Sequence, residues 1–294
     1  RSLHHPSIVK FAGTFVDSRY HYLILEYVPG GEFYSILRNR GRLEEKDAKF
    51  YAAQVTLMFE YIHSQGFIYR DLKPENLLLD KNGYLKLTDF GSAKKIEKAV
   101  HQTLCSTPEY IAPEVLLMKE HDGKGIDWWT LGIFVYEMLV GQPPFFDEDP
   151  GICYQLIISG KLSIPIDLGE DAKKFVKKLL IVDNVKRMGC SPTGAKACKK
   201  HRWFSDVDWE ELTHRKVPAA ISPSVTAEDD TTNFDVYPES LEEPPEVEYD
   251  DEIIRETIQG IQRSDDDHLP EFRESLACFA EAPEDIVTGD SIKF

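Results

Sequence analysis

The sequence has little of what a disulfide-stapled, zinc-bound or membrane-spanning protein needs. Its five cysteines, Cys105, Cys153, Cys190, Cys198 and Cys278, are scattered without C-x-x-C spacing, so no disulfide framework is expected. Its nine histidines show no H-E-x-x-H or comparable ligand spacing, so no protein-bound zinc is expected either. No apolar run is long enough to cross a bilayer, and no apolar stretch near Arg1 reads as a secretory signal. A reduced cytosolic or nuclear setting follows as the expectation. There is also no basic excess. The net charge is −17, and residues 224–294 hold 22 acidic against 4 basic side chains, while residues 1–223 are nearly balanced at 29 and 30. A nucleic-acid partner, which would need a basic face, is therefore not expected. Blocks such as Asp265-Asp266-Asp267 read as solvated, disordered chain. The cluster Lys199-Lys200-His201-Arg202 reads as a solvated helix end.

What is present is a globular chain: 294 residues and 42% apolar side chains suffice for a sizeable core in one large domain or two small ones. Two strands are predicted within residues 8–28, separated by the turn Asp17-Ser18-Arg19. Pro29-Gly30-Gly31 bends the chain before a helix from Glu32 to Arg40, which Gly41 stops. Apolar residues at Phe50, Ala53, Leu57, Tyr61 and Ile62 predict a central helix within Leu43–His63. Leu77-Leu78-Leu79 and Tyr84-Leu85-Lys86-Leu87 flank Asp80-Lys81-Asn82-Gly83 as a short hairpin. A strongly apolar helix opens at Asp127 and runs to about Val140, with Asp127 as a candidate N-cap. Amphipathic helices follow near Asp149–Ser159 and Asp171–Leu180, and Lys199–Phe204 is expected to end the folded lobe.

The chemistry concentrates in Tyr69-Arg70-Asp71-Leu72-Lys73-Pro74-Glu75-Asn76, followed thirteen residues after the Asn by Asp89-Phe90-Gly91. Asp71 can accept or orient a hydroxyl proton, and Lys73 can reach a transferred phosphoryl group. Asn76 and Asp89 supply an amide oxygen and a carboxylate, the hard ligands that Mg²⁺ takes while keeping several waters. Phosphoryl transfer asks a protein for positioning and charge neutralisation, and these residues provide both.

This arrangement is similar to the protein-kinase signature, H-R-D-L-x-x-x-N then D-F-G, with Tyr69 in the His place. Together with Gly91-Ser92-Ala93-Lys94 and Thr103-Leu104-Cys105-Ser106-Thr107-Pro108-Glu109-Tyr110, it resembles the AGC group of serine/threonine kinases. Within that group the resemblance is to the cyclic-AMP-dependent branch and its X-type relatives, over residues 1 to about 239. It implies an α+β protein-kinase fold with a complete, mainly helical large lobe and only the last strands of the small lobe. The implied division is a small-lobe remnant and hinge at 1–28, the large lobe at 29–204, a C-terminal tail at 205–239 and an acidic extension at 240–294.

The resemblance also implies ATP and Mg²⁺ as cofactors. The nucleotide would meet the hinge at Glu26 and Val28, with Glu32, Leu78 and Phe234 around it, and the metal would meet Asn76 and Asp89. Thr103 would be phosphorylated by an upstream activating kinase, its phosphate pairing with Arg70 and Lys94. Glu114 would form a buried pair with Arg187, and Asp127 would hold the catalytic loop from beneath. Glu32, Glu75 and Glu137 would read arginines before the target hydroxyl, while Leu104, Thr107, Pro108 and Ile111 would line the substrate site beyond it. The implied partners are basic Ser/Thr protein substrates and a cyclic-AMP-binding regulatory subunit.

Three departures accompany the resemblance. Ser106 stands where the group has glycine, which leaves the packing of the substrate-side wall open, and Ser92 stands where it has a large apolar residue, which leaves the choice between Ser and Thr open. No G-x-G-x-x-G and no V-A-I-K occurs in the sequence, so the chain is expected to be a fragment lacking about 80 upstream residues of the template. As written, it should bind ATP poorly. The competing expectation is a catalytically impaired fragment or pseudokinase that serves as a binding module. Beyond Glu239 the match ends. Phe294 is a candidate terminal docking aromatic, and Ile253–Ile261 a candidate short helix against a partner.

Overall fold

The computed structural model describes residues 3–16, 20–96, 107–119 and 123–235. Thr103, Leu104, Cys105, Ser106, Cys278, Phe294 and the helix expected at Ile253–Ile261 lie outside the described residues.

Strand β1 (Phe11–Val16) pairs antiparallel with β2 (His21–Leu25), from Phe11 opposite Leu25 to Val16 opposite His21. Residues 7–9 do not extend β1. They run beside a later strand instead, where Ile8 makes a parallel bridge to Leu87. Helix α1 (Phe33–Arg40) buries Phe33 and Leu37, and Gly41, at φ 73°, turns its N–H back onto Leu37 O.

Helix α2 (Glu45–Ser64) is the central column. Tyr51, Ala52, Val55, Phe59 and Ile62 recur at helical spacing and are fully buried, which gives it an apolar face for other elements to pack on. After the two-residue β3 (Phe67–Ile68) comes the hairpin of β4 (Leu77–Leu79) and β5 (Leu85–Leu87). Its turn is closed by Asp80, whose Oδ1 accepts the N–H groups of Asn82 and Tyr84. Gly83 is required there: its φ is 79°, and a Cβ would lie 1.9 Å from Ile221 O. Strand β6 (Lys94–Lys95) pairs back onto β3.

Helix α3 (Pro113–Leu116) leads to α4 (Lys124–Val140), which is buried nearly all round. Trp128, Trp129, Ile133 and Phe134 are each fully buried, and such side chains stabilise by about 1.5–3 kcal/mol apiece. Phe59 meets Trp128 edge-on and Phe33 meets Phe134, so α1, α2 and α4 share one core. Helix α5 (Pro150–Ser159) is capped by Asp149, and α6 (Glu170–Leu179) packs on α4 so closely that a Cβ at Gly132 would lie 2.8 Å from Leu179 Cβ.

Three expectations need correction. Asp127 does not cap α4: Gly123, in the left-handed region, holds that position, and Asp127 lies inside the first turn, where its buried carboxylate serves another segment. The basic cluster is a solvated helix end only in part, with Lys200 and Arg202 exposed. After α7 (Ala195–Lys199), Lys199 pairs with Glu60 and lies over the Trp209 ring, while His201 is buried. Nor does packing stop at Phe204, since α8 (Trp209–Thr213) continues onto α2 and buries Leu212.

Candidate active site

The Tyr69–Asn76 loop is held from below by one carboxylate. Asp127 is fully buried; its Oδ1 accepts the Arg70 N–H at 2.6 Å and its Oδ2 the Tyr69 N–H at 3.0 Å. His63 Nε2 lies 2.6 Å from the same Oδ2, with its ring stacked on Phe59. These bonds fix a strained backbone: Arg70 has φ 74°, a region costly for a residue with a side chain. The turn at Arg70 sets the direction in which Asp71 leaves it.

Asp71 is 6% exposed. Its Oδ2 lies 3.5 Å from Lys73 Nζ and accepts a hydrogen bond from Asn76 Nδ2 at 3.0 Å. The same Nδ2 donates to Asp71 O at 2.8 Å, across a single 3₁₀ turn, Pro74–Asn76. With its nitrogen committed to Asp71, the Asn76 side chain retains only an acceptor oxygen, a ligand suited to a hard cation. Asn76 O accepts the Thr88 N–H at 3.0 Å, which ties the loop to the exit of β5. Next comes Asp89, exposed and at φ 49°, with Oδ1 accepting the Gly91 N–H. The donor set of Asn76 and Asp89 therefore fits Mg²⁺.

Tyr69 supports the same junction. Its hydroxyl donates to Thr88 O at 2.6 Å and its ring meets Phe90 edge-on. Burial holds its phenol well above its ordinary pKa, reinforced by the charges of Asp71 and Asp89. Arg70 Nε donates to Ser92 O, and Lys94 is exposed on β6. The residue they were expected to serve, Thr103, lies outside the described residues.

Glu114 and Arg187 form a buried two-bond pair, at 2.7 and 2.8 Å. Arg187 also donates to Gly125 O and Ile181 O and lies over the Trp129 ring, so its charge is surrounded by partners. A Cβ on Gly125 would lie 3.1 Å from Glu114 Oε1.

An acidic group surrounds Glu75. Burial pushes the Glu137 carboxyl up to about 7, opposed by the hydrogen bond from Tyr110 and reinforced by Glu75 and Glu109. Burial likewise raises Glu32, with Glu75 and Asp235 adding to it. Glu75 is thus an electrostatic neighbour of both Glu32 and Glu137. Sequence reasoning missed Glu109, which has a buried oxygen without a hydrogen-bond partner, and Tyr110, which orients Glu137. Both sit in the triplet Pro108-Glu109-Tyr110, between residues already singled out. Thr107 and Pro108 are half-buried, and Ile111 is mostly covered, at 5% exposure.

The residues assigned to the nucleotide meet in two separate contacts. Val28 is buried, Leu78 is half-buried in a bridge to Glu32, and the Phe234 ring lies 5.9 Å from that of Tyr27. The Glu26 side chain is turned away into an ion pair with Lys86 and its N–H donates to Lys10 O, so its carbonyl is the backbone group left for any role at the hinge.

Comparison with known proteins agrees with this geometry. Residues 1–204 match the family model described as protein kinase domain. Over 240 residues the chain is 48% identical to the human cAMP-dependent protein kinase catalytic subunit PRKX, covering 82% of this chain and 66% of that protein. It is 46% identical over 252 residues to the cAMP-dependent protein kinase catalytic subunit of Dictyostelium discoideum, covering 85% of this chain and 39% of that one. For cAMP-dependent protein kinase type 3 of Saccharomyces cerevisiae the identity is 44% over 236 residues, covering 80% of this chain and 59% of the relative. The chain thus spans from 39% to 66% of the length of these curated relatives.

Proposed function

This chain belongs to the protein kinase domain family, and on that premise we propose that it carries the large lobe of an ATP- and Mg²⁺-dependent serine/threonine kinase acting on basic protein substrates. The observation that carries the reading is the Asp71–Lys73–Asn76 cluster, seated on a strained loop that Asp127 braces. A nucleotide with its metal would supply the phosphoryl group and neutralise charge on it. The residues of the chain do the rest. Asp71 accepts the proton of the substrate hydroxyl and orients its oxygen. Lys73 offers a compact positive charge beside it, and Asn76 and Asp89 would hold the cation. Glu26 and Val28 offer backbone groups to the base, with Leu78 and Phe234 as apolar cover.

The same reading makes phosphorylation of Thr103 by an upstream kinase the ordering step for the segment between Asp89 and Glu114, through Arg70 and Lys94. A cyclic-AMP-binding regulatory subunit is the proposed partner, by likeness to relatives named as cAMP-dependent kinases. The proposed setting is cytosolic or nuclear. Among the described residues no helix is long and apolar enough to cross a membrane.

Glu32, Glu75 and Glu137 are the proposed readers of arginine before the target residue, since carboxylates accept paired bonds from a guanidinium. Glu137→Ala should weaken binding of an Arg-Arg-x-Ser peptide while leaving a neutral peptide nearly untouched; equal losses for both would remove the recognition role. A pH dependence follows as well. The carboxyl of Glu137, raised to about 7, is mostly protonated below that pH and charged above it. Affinity for the arginine peptide should therefore rise with pH, by about tenfold between pH 6 and pH 8. The dependence should vanish in Glu137→Gln; persistence of the full slope in that variant would assign it to another group.

A further inference from the structure

The hinge is a short crossing clamped at both ends onto the same hairpin. At its far end the clamp is backbone: Gly30 N donates to Leu79 O and Leu79 N to Gly31 O, each at 2.9 Å, and Glu32 bridges Leu78. At its near end the clamp is an ion pair. Lys86 Nζ, on β5, lies 2.6 Å from Glu26 Oε1, at the exit of β2. The other oxygen, Oε2, accepts the Lys10 N–H at 3.1 Å, and Glu26 N donates to Lys10 O at 2.9 Å. The neighbouring Leu87 takes part too: its N–H donates to Ser7 O, and its carbonyl accepts from Val9 N. Segments 7–10, 26 and 86–87 are therefore stitched into one ring, and Tyr27, Val28 and Pro29 span the interval between the two clamps.

The pair is placed to matter. The Lys86 side chain is 8% exposed and that of Glu26 20%. A nearly buried ammonium holds its charge only with a partner, and a charge-assisted bond at this distance is directional. The outer face of the span is strapped independently, by Tyr27 Oη donating to Asp230 O and Asn233 Nδ2 to Pro29 O. Those contacts restrain the hinge at Tyr27 and Pro29, whereas Lys86–Glu26 ties its near end to β5.

We propose that Lys86 is a positioning residue: through Glu26 it sets the geometry of the hinge backbone and, on the kinase reading above, the affinity of that backbone for a nucleotide base.

The test uses the full-length protein in four forms: wild type, Lys86→Met, Glu26→Lys, and the charge-reversed pair Lys86→Glu with Glu26→Lys. Backbone hydrogen exchange is followed without nucleotide, and binding of Mg-ATP is then measured by calorimetry. In Lys86→Met, exchange at residues 26–31 should accelerate at least about tenfold while α4 keeps its protection, and the dissociation constant should rise roughly three- to tenfold. Charge reversal should restore both, which a purely packing role would not allow. Unchanged hinge exchange in Lys86→Met, acceleration spread equally through α4, or failure of the reversed pair to restore protection would each overturn the proposal. A wild-type protein that binds no nucleotide would instead refute the kinase reading, and the exchange comparison would still decide the role of Lys86.

Discussion

Replacing Arg187 with alanine should lower the unfolding free energy by about 3–5 kcal/mol, because it strands the Glu114 carboxylate in the core. Glu114 is 2% exposed and Arg187 1%, so the stranded carboxylate is out of reach of bulk water. Beyond the two bonds to Glu114, the substitution releases Gly125 O at the start of α4 and Ile181 O after α6, and leaves the Trp129 face uncovered. For a folded unit of this size the loss corresponds to a fall in Tm of about 6–20 °C. Thermal unfolding followed by circular dichroism reads it directly. The double replacement Glu114→Leu with Arg187→Met should be less damaging than Arg187→Ala, since it removes both charges together. If the single and double variants lose the same stability, the stranded charge is not the cause.

The second large effect concerns chemistry rather than folding. Asp71→Asn should reduce the rate of phosphoryl transfer by about 10²–10⁴ with little change in Tm or in peptide affinity. The amide has nearly the shape of the carboxylate, and Asp71 O still accepts from Asn76. It can neither accept the substrate proton nor pair with Lys73, which now lies 3.5 Å from the carboxylate. Single-turnover kinetics separates the two contributions. A variant that keeps more than a tenth of the wild-type rate would deny Asp71 the proposed role.

Much of this arrangement was legible because it is local. The residues from Asp71 to Asn76 are closed by one local turn, and the hairpin that presents Asp89 is announced by Asp80 and Gly83. Helix α2 declares itself through its period. The errors lie where a residue's partner is distant in sequence. Asp127 looked like a cap because it is an acid at the head of an apolar helix; its place beneath Tyr69 and Arg70, 58 and 57 positions away, was named only through the resemblance, and His63, 64 positions away, was not named at all. Lys86 and Glu26 are separated by 60 residues, and Tyr110 and Glu137 by 27. With 34 Lys or Arg and 51 Asp or Glu in the chain, composition cannot choose among such pairs. The Glu114–Arg187 pair, 73 residues apart, was named only through the resemblance to known kinases. Periodicity had no access to it.

The most direct measurement of the central claim is mass spectrometry of an Arg-Arg-x-Ser-Leu peptide after incubation with the native full-length protein and Mg-ATP. The account predicts an added phosphate on the serine, absent when the metal is chelated and strongly reduced when the arginines are replaced. A protein that binds the peptide yet leaves it unmodified under all conditions would contradict it and assign the chain to binding rather than catalysis.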